Sequence, residues 1–170
     1  MTAFVALIRA VNVAGRQLKM ADLRRIAEEL KLGSPRTYIA SGNLLFTSDR
    51  SERALKSAIE DALKKHMGHT VDVLLRTAGE IAQVAEANPF AGKPGNRVAA
   101  IFLDAAPPAD AIEKAKGAAD ERMALGAREI YVHYPGGMGR SKLRIPAAAQ
   151  GTARNLNSVA KLAALAKEMA

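Results

Sequence analysis

The chain has 170 residues, 49% of them apolar and only 4% aromatic, enough for one compact domain or two small lobes around an aliphatic core. It holds no cysteine, which excludes disulfides, thiolate metal sites and cysteine nucleophiles, and no tryptophan, which weakens any design based on aromatic cages. Its net charge of +8 sits towards two ends: residues 1–21 carry three basic side chains and no acid, and residues 130–167 carry six and no acid. A surface of that kind attracts phosphates, carboxylates or nucleic acid.

Residues 3–13 are rich in Val, Leu and Ile and predict a central strand. The apolar run before Arg9 is six residues long, too short for a signal h-region or a membrane span, so a cytoplasmic location and no membrane partner are expected. Residues 20–32 repeat apolar side chains at helical spacing, with Gly33 as the expected C-cap. RTYIASGNLLFTSD predicts a hairpin whose turn is Gly42-Asn43. Ser51 is placed to cap a helix with Leu55, Ile59 and Leu63 on its buried stripe, and 71–75 is the next strand. A linking helix over 79–87 ends at Asn88-Pro89, and AGKPGN (91–96) is the strongest linker signal. Then follow a strand over 98–103, a helix over 109–119, strands at 122–125 and 129–134 joined at Gly126-Ala127, and a helix rich in Ala and Leu.

The predicted fold is therefore α+β: a ferredoxin-like βαββαβ half followed by a second, related βαββ-containing half and a C-terminal helix. The expected boundaries are 1–76, a linking helix and loop at 77–96, and 97–170, packed as one compact unit.

Chemistry is less legible. YPGGMGRSK (134–142) follows a strand and offers backbone amides, Ser141 and Lys142 to an anion, but lacks Walker A and dinucleotide-loop spacing. His66 and His69 sit at a helix end with Asp72 as the nearest third ligand, so no metal is expected. No carboxylate pair and no G-x-S-x-G elbow supports hydrolysis, and no cofactor or reaction is assigned. In GTARNLNSVAKLAALAK, Asn155 or Asn157 is enough to cap the last helix, which leaves Arg154 and the other Asn over.

LIRAVNVAG (7–15), the following Lys19, Met20 and Leu23, TYIASGN with Phe46, NPF (88–90), GRSKL (139–143) and TARNLNSV (152–159) together resemble the bacterial "domain of unknown function 1697" proteins over nearly the whole chain. Ala10 and Ala14 stand where that family commonly has Gly, and Leu156 where it has an aromatic. The resemblance implies an intact cytoplasmic α+β protein and no reaction. It picks out Arg9, Asn12, Ser41, Asn43, Ser141, Lys142, Arg154, Asn155 and Asn157 as motif positions.

The leading expectation is a phosphorylated or nucleotide-like ligand held between Arg9 and Asn12 on one wall and Arg154 with the Asn pair on the other. A second is RNA or DNA bound across an open sheet, which needs exposed aromatics. A third is a structural or interaction role, which requires Arg9 and Arg154 buried and paired with acids such as Asp72 or Glu129.

Overall fold

The computed structural model describes residues 1–9, 18–38 and 42–170. The expected positions Asn12 and Ser41 lie outside the described residues. The fold is α+β, with two four-stranded antiparallel sheets and four α-helices among the described residues, the last of them C-terminal. The chain divides into two compact units: Met1–Ile81 with Leu162–Ala170, and Ala82–Lys161.

Unit 1 contains β1 (Thr2–Ile8), α1 (Met20–Glu29), β2 (Gly33–Thr37), β3 (Asn43–Ser48), α2 (Glu52–Met67) and β4 (Val73–Thr77), with the sheet order β2-β3-β1-β4. Strand alternation sends Phe4, Ala6, Ile8, Leu44, Phe46, Val73 and Leu75 to one face. These join Leu23 and Ile26 of α1 and Leu55, Ile59 and Leu63 of α2 in one buried cluster. Ser51 caps α2 by accepting from the Ala54 amide at 3.2 Å.

Two expected turns differ. Gly33 does not cap α1. The helix closes two residues earlier in a Schellman motif, Leu32 N–H to Ala27 O and Lys31 N–H to Glu28 O, both 3.0 Å. Lys31 takes the left-handed position at φ 59°. Gly33 instead opens β2 opposite Thr47, where a Cβ would overlap the Thr47 side chain. Lys31→Gly is therefore expected to stabilise the protein by roughly 0.5–1 kcal/mol in urea unfolding, because Gly adopts positive φ without the Cβ penalty. Nor is Gly42-Asn43 a two-residue hairpin turn. Asn43 is the first, fully buried residue of β3, and it exchanges backbone and side-chain bonds with Tyr38. A buried amide that closes the strand ends displaces the simpler turn.

Unit 2 begins within α3 (Ala78–Glu86), which follows β4. Thr77 and Glu80 form a capping box at its start: the Thr77 amide donates to Glu80 Oε1 at 2.8 Å and the Glu80 amide to Thr77 Oγ1 at 3.2 Å. Then come β5 (Val98–Phe102), β6 (Arg122–Leu125), β7 (Glu129–His133), β8 (Thr152–Asn155) and α4 (Leu156–Met169), in the sheet order β6-β7-β5-β8. The tight turn between β6 and β7 is one residue later than expected, closed by Gly126 N–H to Glu129 O at 2.7 Å.

The helix expected over 109–119 does not form. Isolated turn bonds occur there, such as Lys114 N–H to Asp110 O at 3.1 Å, and then the backbone is captured by a second connection. Lys116 pairs antiparallel with Arg144, N–H to O in both directions at 2.8 and 2.7 Å. Gly117 at φ 76° turns the chain away. Tertiary pairing overrides a local helical pattern that a glycine had already shortened. The two connections cover one sheet face, where Leu103, Ala111, Ile130 and Val132 are buried with Leu143, Ile145 and Ala148 packed on them. No helix among the described residues is long and apolar enough to cross a membrane.

Candidate functional site

In unit 1, Arg9 and Asn43 lie at one end of the sheet. Ile8 N–H donates to Gly42 O at 2.9 Å, Arg9 N–H to Asp72 O at 3.0 Å, and Asn43 stands opposite Leu7. The Arg9 guanidinium is 3.6 Å from the Asp72 carboxylate, with both side chains part-exposed. The reading of the motif residues as folding determinants expects this pair, but expects it buried.

In unit 2, Asn155 is the cap of α4: its Oδ1 accepts from the Ser158 amide at 2.8 Å. Asn157 is exposed on the first turn, and its side chain lies so close to Gly95 that a Cβ there would overlap it. Arg154 stands in β8 opposite Ala100, and its Nη1 donates to Ala153 O at 2.9 Å. Burial pushes the Arg154 guanidinium down to about 10. One cap thus satisfies the helix, as the sequence required, and the second Asn serves packing against the 3₁₀ turn Gly95–Arg97.

Register places polar side chains together on one face of this sheet. Glu129, Tyr131 and His133 on β7 lie opposite Phe102, Ala100 and Val98, and Phe102 and Ala100 in turn face Thr152 and Arg154 on β8. Glu129, Tyr131, His133 and Thr152 are all buried. Of these four, only Glu129 was expected to pair with a basic side chain; the period-2 alternation of β7 was the available signal for the group. Phe90 of the NPF motif packs on the His133 ring at 5.8 Å. The Tyr131 hydroxyl donates to Val84 O at 2.7 Å, and burial, then the Glu129 charge, pushes the phenol up to about 12.

This makes Tyr131 a strut rather than an acid–base group. Tyr131→Phe is expected to cost about 1–3 kcal/mol, because it leaves a buried carbonyl without its donor. The pH sign follows from the raised pKa. The folded state favours the neutral phenol, so its contribution is complete below the ordinary value of 10 and is lost as pH rises through about 12. Tyrosinate absorbance checks this: Tyr131→Phe should remove a late step near pH 12.

GRSKL begins in the 3₁₀ turn Met138–Arg140, and from Ser141 on exposure alternates. Ser141, Leu143 and Ile145 are half-buried, while Lys142 and Arg144 are exposed. Ser141 is already engaged: its hydroxyl donates to Glu121 Oε1 at 2.9 Å and accepts from the Leu143 amide at 3.1 Å. Glu121 also accepts from the Ala119 amide at 2.7 Å, and these two bonds, the backbone one first, hold its carboxyl below the usual value. Lys116, Arg140, Lys142 and Arg144 are all exposed, and none makes an ion pair among the described residues. The Lys116–Arg144 backbone pair ties two of them together, and Glu121 is the acid bonded to this loop.

Two grooves accompany these features. One of about 410 Å³ is lined by Ile101, Tyr134, Leu143, Arg144, Ile145 and Ala148 among others. A larger one, about 1010 Å³, lies between α1 and α2, far in sequence from the motif positions. Its Arg25 and His66 are tied to Asp22 and Glu29. Among the described residues, no group of three or more His, Asp or Glu is arranged to hold a metal.

No curated protein matches the chain. Among solved structures, a conserved bacterial protein of Streptococcus pneumoniae is similar at 24% identity and a TM-score of 0.80, over 97% of this chain and 98% of that one; this likeness is one of fold. A family model agrees with the motifs now placed on β1, β3 and the NPF turn: it matches residues 1–131, and the chain belongs to the DUF1697 family, proteins of unknown function.

Proposed function

We propose that this protein binds a phosphorylated or nucleotide-like anion through the basic surface of unit 2, in the cytoplasm, on a ferredoxin-like scaffold used twice. The scaffold reading rests on strand order. β2-β3-β1-β4, all antiparallel with α1 and α2 on one face, is the order a split βαβ unit requires. β6-β7-β5-β8 repeats it, with irregular connections in place of the two helices.

The observation that carries the ligand reading is the group Lys116, Arg140, Lys142 and Arg144: four exposed cations without ion pairs, two of them joined by a backbone bridge. Arg154 stands on the other face of the sheet, with Glu129, Tyr131 and His133, and is not one of this group. Arg9 belongs to unit 1, where Asp72 faces it. The open-sheet nucleic-acid reading is disfavoured, because the strand aromatics Phe4, Phe46, Phe102 and Tyr131 are buried and offer no stacking platform.

Thermal unfolding with inorganic phosphate, AMP or a short RNA tests the proposal. Phosphate and AMP are expected to raise the melting temperature in proportion to occupancy. The Lys116→Ala, Lys142→Ala, Arg144→Ala triple variant is expected to abolish that rise. RNA binding that is tighter than AMP and collapses with salt would favour the nucleic-acid reading. No response to any of the three sinks the anion reading.

A further inference from the structure

We infer that the groove beside Arg144 takes the apolar body of an amphipathic anion, a phosphate or carboxylate carrying a short aliphatic chain. The inference rests on the anion-binding reading and specifies its ligand.

The groove is about 410 Å³, within the size range of small-ligand pockets. Its lining is mainly aliphatic: Ile101, Leu143, Ile145 and Ala148, with the Tyr134 ring at one side. The side-chain polar groups of its lining are the Arg144 guanidinium and the Tyr134 hydroxyl. A nucleobase brings several donors and acceptors that such walls leave unpaired, whereas an alkyl chain brings none. Charge places the head. Arg144 lines the groove, Lys116 is its backbone partner, and Lys142 is exposed two residues before it. Glu121 is the nearby acid, hydrogen-bonded to Ser141 and close enough to help burial raise the Tyr134 phenol, so Tyr134 stays neutral towards the ligand. The alternation of the 141–145 segment produces both halves of the site: Leu143 and Ile145 line the groove, and Lys142 and Arg144 supply the cations.

Calorimetric titration of the intact protein with inorganic phosphate, ethyl, butyl and hexyl phosphate, octanoate and AMP tests this. Affinity is expected to rise by up to about fourfold per methylene until the groove is full. Octanoate and hexyl phosphate should compete, which tells whether the head must be a phosphate. Ala149→Phe, at an exposed lining position, should flatten the chain-length series and leave phosphate binding unchanged. Arg144→Ala should weaken every member of the series. Phosphate binding without any gain from the chain, or AMP tighter than hexyl phosphate, overturns the inference and leaves the anion reading standing. Absence of binding by any anion overturns both. Far-ultraviolet circular dichroism of each variant separates lost binding from lost fold.

Discussion

Gly117→Ala is expected to destabilise unit 2 by roughly 2–4 kcal/mol and to weaken phosphate binding at the same time. Gly117 has φ 76°, a region where a side chain costs about 1–2 kcal/mol in an L-residue. A Cβ there would also overlap the carbonyl oxygen of Lys142, a backbone atom that cannot rotate away. Relief requires the two connections to separate, and that breaks the reciprocal Lys116–Arg144 bonds at 2.8 and 2.7 Å. The same movement disperses the cations. Urea unfolding gives the first effect and phosphate titration the second. Gly136→Ala is the control: a Cβ there meets nothing within 4 Å, so neither measurement should fall. Equal behaviour of the two variants would show that the bridge organises nothing.

Phe46→Ala is expected to cost about 3–5 kcal/mol, the largest single loss in unit 1. Its ring is fully buried, and it stacks on Phe4 with centroids 5.7 Å apart and planes at 22°. Truncation removes the transfer energy of the ring, opens a void beneath α1 and α2, and deletes an aromatic pair of about 0.5–1.5 kcal/mol. Phe46→Leu keeps most of the volume and should cost about half as much or less. Equilibrium unfolding of both decides. A loss under about 1 kcal/mol for the alanine variant would mean that Phe46 is not a keystone of this core.

The helices of unit 1 were legible because each carries its own periodic signal, whereas β2 (GSPRT) carries none and lies ahead of the expected hairpin strand. The α2 stripe of Leu55, Ile59 and Leu63 and its Ser51 cap need no distant partner to be recognised. The segment 109–119 shows the opposite case. ADAIEKAKGAA has helical composition, yet its path is decided by Arg144, 28 positions beyond Lys116. No local pattern encodes that pairing. Hairpin geometry failed for a related reason: Gly-Asn is a favourable turn pair in isolation, but burial of Asn43 against Tyr38 is a tertiary preference. For the site, the excess of polar groups before α4 was readable, and cap spacing left Asn155 or Asn157 as the cap, which the structure gives to Asn155. The engagement of Ser141 by Glu121, 20 residues earlier, was not.

Unit 1 is written in two pieces, 1–81 and 162–170, with all of unit 2 between them. Synthesis delivers the first piece early and the second last. At about 5–20 residues per second, the 80 intervening residues (82–161) take about 4–16 s. Through that interval the nascent unit 1 lacks Leu162, Leu165 and Ala166, all buried in the finished protein, and lacks the Arg36–Glu168 contact. The part of the chain made first is thus completed only once the whole of unit 2 has been made.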